Sequence, residues 1–363
     1  DRLKNPKGKG GLGPVIEESF FGYEINSDSE ADFADLHVEL KVTPIKQLKS
    51  GLFSAKERLV LNIINYVEEV HKDFYTSSFW KKNETLLIMF YLWEKDLTRE
   101  DYKIVKSILH NFSPEDLEII KQDWEYINQQ IKDGKAHELS EGDTLYLGAA
   151  PKGSSKSSLR PQPCSDIPAM QRAYSLKTTY MTSLVRKVIH NEDLHSITNA
   201  SHLRKASLED IIHSFFTPYI GMSIDDIAKE KGIRLNSSSK SFVSEFVRHL
   251  MGMGDIKLDK IEEFQKANIQ LKTIRLEPNG LPQEHMSFPN VDFIQWINTD
   301  WENSVIKEYF ETTKFLFAIF EYKETKKENP QRKLYFKKIV FWNMPNTMIQ
   351  NELKDFWLTT KDH

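Results

Sequence analysis

Apolar and polar residues alternate strictly around Val38-Glu39-Leu40-Lys41-Val42. A period of two puts Val38, Leu40 and Val42 on one face of a strand over residues 37–43, and Glu39 and Lys41 on the other. Upstream, Val15-Ile-Glu-Glu-Ser-Phe-Phe-Gly22 reads as a short helix with an apolar side. Residues 85–93 hold an unbroken apolar run from Leu86 to Phe90, which predicts a buried strand, and Leu59 to Val70 reads as a helix. A long helix has both ends marked: Ser113-Pro-Glu-Asp supplies cap, first-turn proline and acids, and Gly134 closes it. The turn-rich stretch Ala150 to Ser158 predicts an exposed loop.

A second set of elements starts near Leu208 and repeats the first. Glu263-Phe and Asn-Ile-Gln270-Leu-Lys272 fall in register with Asp32-Phe and His-Val-Glu39-Leu-Lys41, and Leu250-Met-Gly252 falls with Phe20-Phe-Gly22 after a one-residue adjustment. The apolar strand Phe315 to Phe320 then follows as Leu86 to Phe90 does. The expected organisation is therefore two tandem α/β domains, 1–205 and 206–363. Residues Ser223 to Gly232 have no equivalent before Asp1, and the second unit stops at His363, where the first continues towards Gly142. The chain is accordingly expected to be shortened at both ends.

With 363 residues, 39% hydrophobic and 12% aromatic, the chain can pack two cores. The single cysteine, Cys164, excludes a disulfide framework and a thiolate zinc site and points to the cytoplasm. His190, His195 and His202 match no zinc spacing and read as linker residues, and no apolar run is long enough to span a membrane. A net charge of −4 gives no global sign of nucleic-acid binding, but between Pro151 and Lys187 seven Lys or Arg face one acid, Asp166.

The chemistry centres on the strand. Asp32 and Glu39 bring two carboxylates, and Lys41 an ammonium, to one spot, with Glu18 within reach from the preceding helix. Hard oxygens of this kind bind Mg²⁺, which polarises a phosphate and acidifies a bound water, while a lysine orients that water. An edge strand with a solvated polar face would carry the same letters, so the surrounding blocks decide.

Those blocks resemble the MutH-like endonucleases: Lys7-Gly-Lys-Gly-Gly, Asp32-Phe through Val-Glu39-Leu-Lys41-Val-Thr-Pro44, Phe79-Trp-Lys-Lys82 before Leu86, and Gly142-Asp through Pro151-Lys152-Gly to Arg172-Ala-Tyr-Ser-Leu-Lys177. Phe53 to Asn65 and Ser158-Leu-Arg-Pro-Gln-Pro163 look like the branch of type II restriction enzymes that cut at GATC. The resemblance implies two tandem restriction-endonuclease-like domains, each a central mixed sheet flanked by helices. It implies Mg²⁺ held by Glu18, Asp32, Glu39 and the Leu40 carbonyl, Lys41 on the attacking water, and Lys82, or its neighbour Lys81, at the scissile phosphate. Lys152 falls where the family reads its target, although Ala150 stands where the family has an arginine, and a lysine suits guanine O6 and N7. Arg160, Arg172 and Lys177 are expected on DNA phosphates.

The second unit replaces Glu18 by Arg248, Asp32 by Glu263 and Glu39 by Gln270, with no clear counterpart of Lys82 near Phe310. A guanidinium repels a cation and an amide lacks charge, so this copy is expected to be inactive and to bind a second DNA site as an effector. One active unit per chain implies a transient homodimer on double-stranded GATC DNA, and the restriction branch implies a cognate methyltransferase. The alternatives are a mismatch-repair nickase, which is a single unit, and a DNA-binding regulator that does not cleave.

Overall fold

The computed structural model describes residues 12–22, 30–95, 97–153, 158–234 and 242–361. The Lys7 block and Lys156 lie outside the described residues. The chain divides into two compact units, Asp1–Asp193 and Leu194–His363. Residues 194–205, expected at the end of the first domain, belong to the second: His195 bridges to Ile261 and Ser196 hydrogen-bonds Glu263. Among the described residues no helix is long and apolar enough to cross a membrane.

In the first unit, α1 (Gly13–Ser19) precedes β1 (Val38–Gln47), β2 (Phe53–Ala55), β3 (Leu59–Ile63), α2 (Tyr66–Glu69), α3 (Ser78–Asn83), β4 (Thr85–Leu92), β5 (Lys103–His110) and α4 (Pro114–Lys132). After these come β6 (Leu147–Pro151), β7 (Leu159–Gln162), β8 (Ser165–Met170), β9 (Arg172–Leu176) and α5 (Thr178–His190). The main sheet runs β2-β1-β4-β5, with β1 and β4 parallel and both outer pairs antiparallel. Leu86, Ile88 and Phe90 alternate inward on β4 and are fully buried. A second, antiparallel sheet, β3-β9-β6, packs on α3 through Phe79 and Tyr174, whose rings lie 5.4 Å apart.

The segment expected as one helix from Leu59 to Val70 is instead strand β3 followed by the short α2. Its apolar run has neither period, and pairing of Leu59 with Leu176 and Ile63 with Ala173 decides for strand. Ser113 caps α4 on the Asp116 amide, as its sequence signature requires.

The second unit contains α6 (Ala200–Leu203), α7 (Leu208–Phe216), α8 (Ile224–Lys231), α9 (Phe242–Leu250), α10 (Glu262–Ala267) and β10 (Ile269–Leu276). It continues with α11 (Phe293–Ile297), α12 (Val305–Thr312), β11 (Lys314–Tyr322), β12 (Leu334–Trp342), α13 (Asn346–Met348) and α14 (Lys354–Lys361). Strand β10 runs parallel to β11 and β12 antiparallel to it, which repeats β1-β4-β5. A left-handed residue opens the first strand of each module, His37 at φ 52° and Asn268 at φ 55°. In both units an Asp-capped 3-10 turn (Asp73, Asp300) is followed by a Ser-capped helix (Ser77, Ser304). Trp296, Trp301, Phe310, Phe315 and Trp357 form the aromatic part of this core.

Candidate active site

The local turn ahead of β1 sets the site. Phe33 and Val38 bridge antiparallel across the 3-10 turn Ala34–Leu36, and His37 takes the left-handed conformation that closes it. This folds Asp32 back onto the strand, where Asp32 Oδ2 accepts the Leu40 amide at 2.9 Å and the Asp32 amide donates to Glu39 Oε2 at 3.2 Å. Two carboxylates, eight and seven residues along the chain from these amides, are thus locked side by side by main-chain donors.

Glu39 is 2% exposed. Lys41 Nζ lies 2.5 Å from its Oε1, and Lys82 Nζ, near the end of α3, lies 3.7 Å from its Oε2. Lys82 therefore faces the carboxylate, whereas Lys81 is exposed. Burial pushes the Glu39 carboxyl above its ordinary value, Asp32 adds to that, and the two lysines oppose it.

Helix α1 lies on β1, close enough that a Cβ on Gly13 would come within 4.0 Å of Val42. Of its two acids, Glu17 is half-buried and Glu18 exposed. The Glu17 carboxyl is raised by burial first and then by Asp32, with Lys41 opposing and Glu39 and Glu18 adding. Glu17, missed in the sequence, is therefore an α1 acid close enough to feel the cluster. The adjacent acids differ by one residue on a helix, so only packing separates them.

These residues fit a Mg²⁺-type ion. Two carboxylates, Asp32 and Glu39, offer hard oxygen, and among the described residues no group of three His, Cys, Asp or Glu is placed to hold a metal ion by itself. That donor set suits an ion that keeps several waters and takes its remaining oxygens from a substrate phosphate.

The expected DNA contacts separate into two groups. Lys152 is exposed at the end of β6, its amide donating to Gln171 O at 2.7 Å. Arg160 is exposed on β7, with Nη2 3.3 Å from Gln171 Oε1. Arg172 and Lys177 differ from their expectation: they are 4% and 1% exposed. Arg172 Nη1 donates to Ala149 O at 2.7 Å and Lys177 Nζ to Thr144 O at 2.5 Å, so both cations satisfy buried carbonyls where a phosphate has no access.

In the second unit Gln270 takes the strand position of Glu39, and Tyr309 Oη donates to its Oε1 at 2.6 Å. Tyr309 stands five residues past Ser304, as Lys82 stands five past Ser77, which makes it the Lys82 counterpart. Lys272 donates to Ser287 O at 2.7 Å, and burial lowers its pKa. Glu263 turns to Ser196 and Ile197, and Arg248 to the carbonyls of Asp255 and Ile256.

Residues 21–123 match the family model described as DNA mismatch repair enzyme MutH. The chain is 40% identical over 353 residues to the type II restriction enzyme Sau3AI of Staphylococcus aureus, an alignment spanning 94% of this chain and 71% of that enzyme. It is 30% identical over 145 residues to the DNA mismatch repair protein MutH of Shewanella amazonensis and 28% over 151 residues to that of Shewanella woodyi, spanning 38% and 42% of this chain and 61% and 63% of those proteins. A parallel–antiparallel module with Glu39 and Lys41 on its first strand, Asp32 in the turn ahead of it and Lys82 on the crossover helix, joined to identity along most of the chain, shows that the protein belongs to the MutH-like endonucleases, in their type II restriction enzyme branch.

Proposed function

We propose that this endonuclease hydrolyses double-stranded DNA at GATC with Mg²⁺, using Asp32, Glu39, Lys41 and Lys82 of the first unit, with Glu17 or Glu18 completing the acidic set from α1. The convergence of both lysines on the buried Glu39 carries this reading. Bound Mg²⁺ would polarise the scissile phosphate and lower the pKa of an attacking water. The chain supplies the rest. Asp32 and Glu39 hold oxygens towards the site, and their mutual main-chain hydrogen bonds prevent them from swinging apart. Lys41, drawn onto Glu39, is placed to orient the water and assist its loss of a proton. Lys82 balances the charge that grows on the phosphate as the new P–O bond forms and the ester P–O bond breaks.

Lys152 and Arg160 remain the candidate DNA contacts, Lys152 to a guanine edge and Arg160 to phosphate. Gln270 and Tyr309 put a neutral pair where the first unit has a carboxylate and an ammonium, which supports a second unit that does not cleave, and we propose that this unit binds DNA as an effector. One active unit per chain favours a homodimer during double-strand cleavage, and a cognate methyltransferase would protect the host DNA.

A supercoiled plasmid carrying GATC sites should be linearised and fragmented in Mg²⁺, and bound without cleavage in Ca²⁺. A GATC-free plasmid should stay intact. Nicked circles as the only product would favour a repair-type nickase, and binding without cleavage in Mg²⁺ would favour a regulator.

A further inference from the structure

Two charged side chains lie deep in the first unit and outside the cluster on β1. Asp123, midway along α4, is 5% exposed. Its Oδ1 accepts the Leu145 amide at 2.8 Å, and its Oδ2 accepts those of Tyr146 at 2.6 Å and Leu147 at 2.9 Å. Three consecutive amides thus end on one carboxylate. Lys177 Nζ reaches the carbonyl of the preceding residue, Thr144, and the Lys177 amide donates to Tyr146 O at 3.1 Å. Residues 144–147 are gripped by an anion on their N–H side and a cation on their C=O side.

Such a pair is no gain in stability over apolar residues of similar volume, because burying each charge costs several kcal/mol. Burial indeed pushes the Asp123 carboxyl up to about 6, against the pull of the three amides and Lys177. What apolar residues cannot do is terminate three adjacent amides at the entry to a strand. That strand is β6, and it leads directly to Lys152, roughly 17 Å away at ~3.3 Å per residue. Arg172 holds its middle through Ala149 O, and Gln171 O holds its end through the Lys152 amide.

We propose that Asp123 and Lys177 are positioning residues for sequence recognition, fixing the register and direction of β6 so that Lys152 meets its base. This rests on the assignment of Lys152 to target reading. The pair touches neither Asp32, Glu39, Lys41 nor Lys82 in any described hydrogen bond or ion pair, so its loss separates selection from chemistry.

The test uses the full chain with Asp123→Asn and, as an independent variant that keeps the aliphatic stem, Lys177→Met. Single-turnover cleavage of a GATC duplex at saturating enzyme should stay within about threefold of the parent, since a factor of three is under 1 kcal/mol. The ratio of kcat/KM for GATC to that for a duplex with one base pair changed should fall at least about tenfold, and hydrogen exchange at Leu145, Tyr146 and Leu147 should quicken while that of β1 is unchanged. An equal loss of rate on both duplexes with the ratio preserved, or failure of both variants to fold, would make the pair purely structural and overturn the proposal. Failure of the Lys152 assignment is distinguishable: Lys152→Ala would then leave the ratio unchanged while the Asp123 and Lys177 variants still lower it.

Discussion

Replacing Glu39 by glutamine isolates charge from shape, and the second unit already carries Gln270 at this strand position. Two opposing terms set the effect on folding. A unit charge pair near 4 Å, as between Glu39 and Lys82 at 3.7 Å, is worth about 4 kcal/mol at an effective dielectric of ~20. Against it stands the desolvation of a carboxylate that is 2% exposed, also several kcal/mol. The upward displacement of the Glu39 pKa says that burial, with the Asp32 charge beside it, outweighs both lysines. A neutral amide escapes that penalty, and the lysines, each 15% exposed, retain access to water. Glu39→Gln should therefore change unfolding free energy by no more than about 1 kcal/mol, within the range of ordinary substitutions. Activity should respond very differently. Losing the metal ligand proposed at this position would remove several kcal/mol of transition-state stabilisation, and 4 kcal/mol is about a thousandfold in rate. Thermal unfolding and single-turnover cleavage of a GATC duplex in Mg²⁺ read the two effects separately. A variant that keeps more than a few per cent of the rate would refute the role given to this carboxylate.

Because the folded-state pKa of Glu39 is raised, its proton binds at higher pH in the folded protein than in the unfolded chain, so this group adds stability as pH falls while activity is lost. In the metal-free protein a carboxyl titration followed by NMR should place Glu39 above the pH range of an exposed glutamate, and a midpoint within that range would contradict it. Lys152→Ala should cost about 1–3 kcal/mol of discrimination between GATC and scrambled duplexes in competition if it reads a guanine, and weaken both equally if it meets phosphate. A two-site DNA should be cut faster than a one-site DNA, short GATC duplexes in trans should stimulate the one-site reaction, and Gln270→Glu should alter neither effect. Equal rates without stimulation would leave the second unit a structural support.

What the sequence disclosed was local. The Asp32–Lys41 block, the capped α4 and the apolar β4 all follow from short-range period and capping, and the structure forms each of them. What it hid depends on distant partners. The Leu59 run becomes a strand only because β9, over a hundred residues later, pairs with it. Arg172 and Lys177 look like surface cations in a basic stretch, yet carbonyls of Ala149 and Thr144 draw them inside. Tyr309 was obscured as the partner of Gln270 because α12 spans eight residues where α3 spans six, so counting back from the strand lands on Glu311. Glu17 and Glu18 are adjacent on one helix, and only the packing of α1 on β1 separates them.

The most direct measurement is the Mg²⁺-dependent cleavage rate of one labelled GATC duplex by the parent enzyme and by Lys41→Ala, with DNA affinity taken in Ca²⁺. Lys41 is drawn to a buried glutamate at 2.5 Å and is the group assigned to the attacking water. The expected result is cleavage at GATC by the parent, a loss of at least about a thousandfold in the variant, equivalent to ~4 kcal/mol, and affinities within about threefold of each other. Cleavage by the variant at a rate near the parent's would contradict the assignment of catalysis to this site.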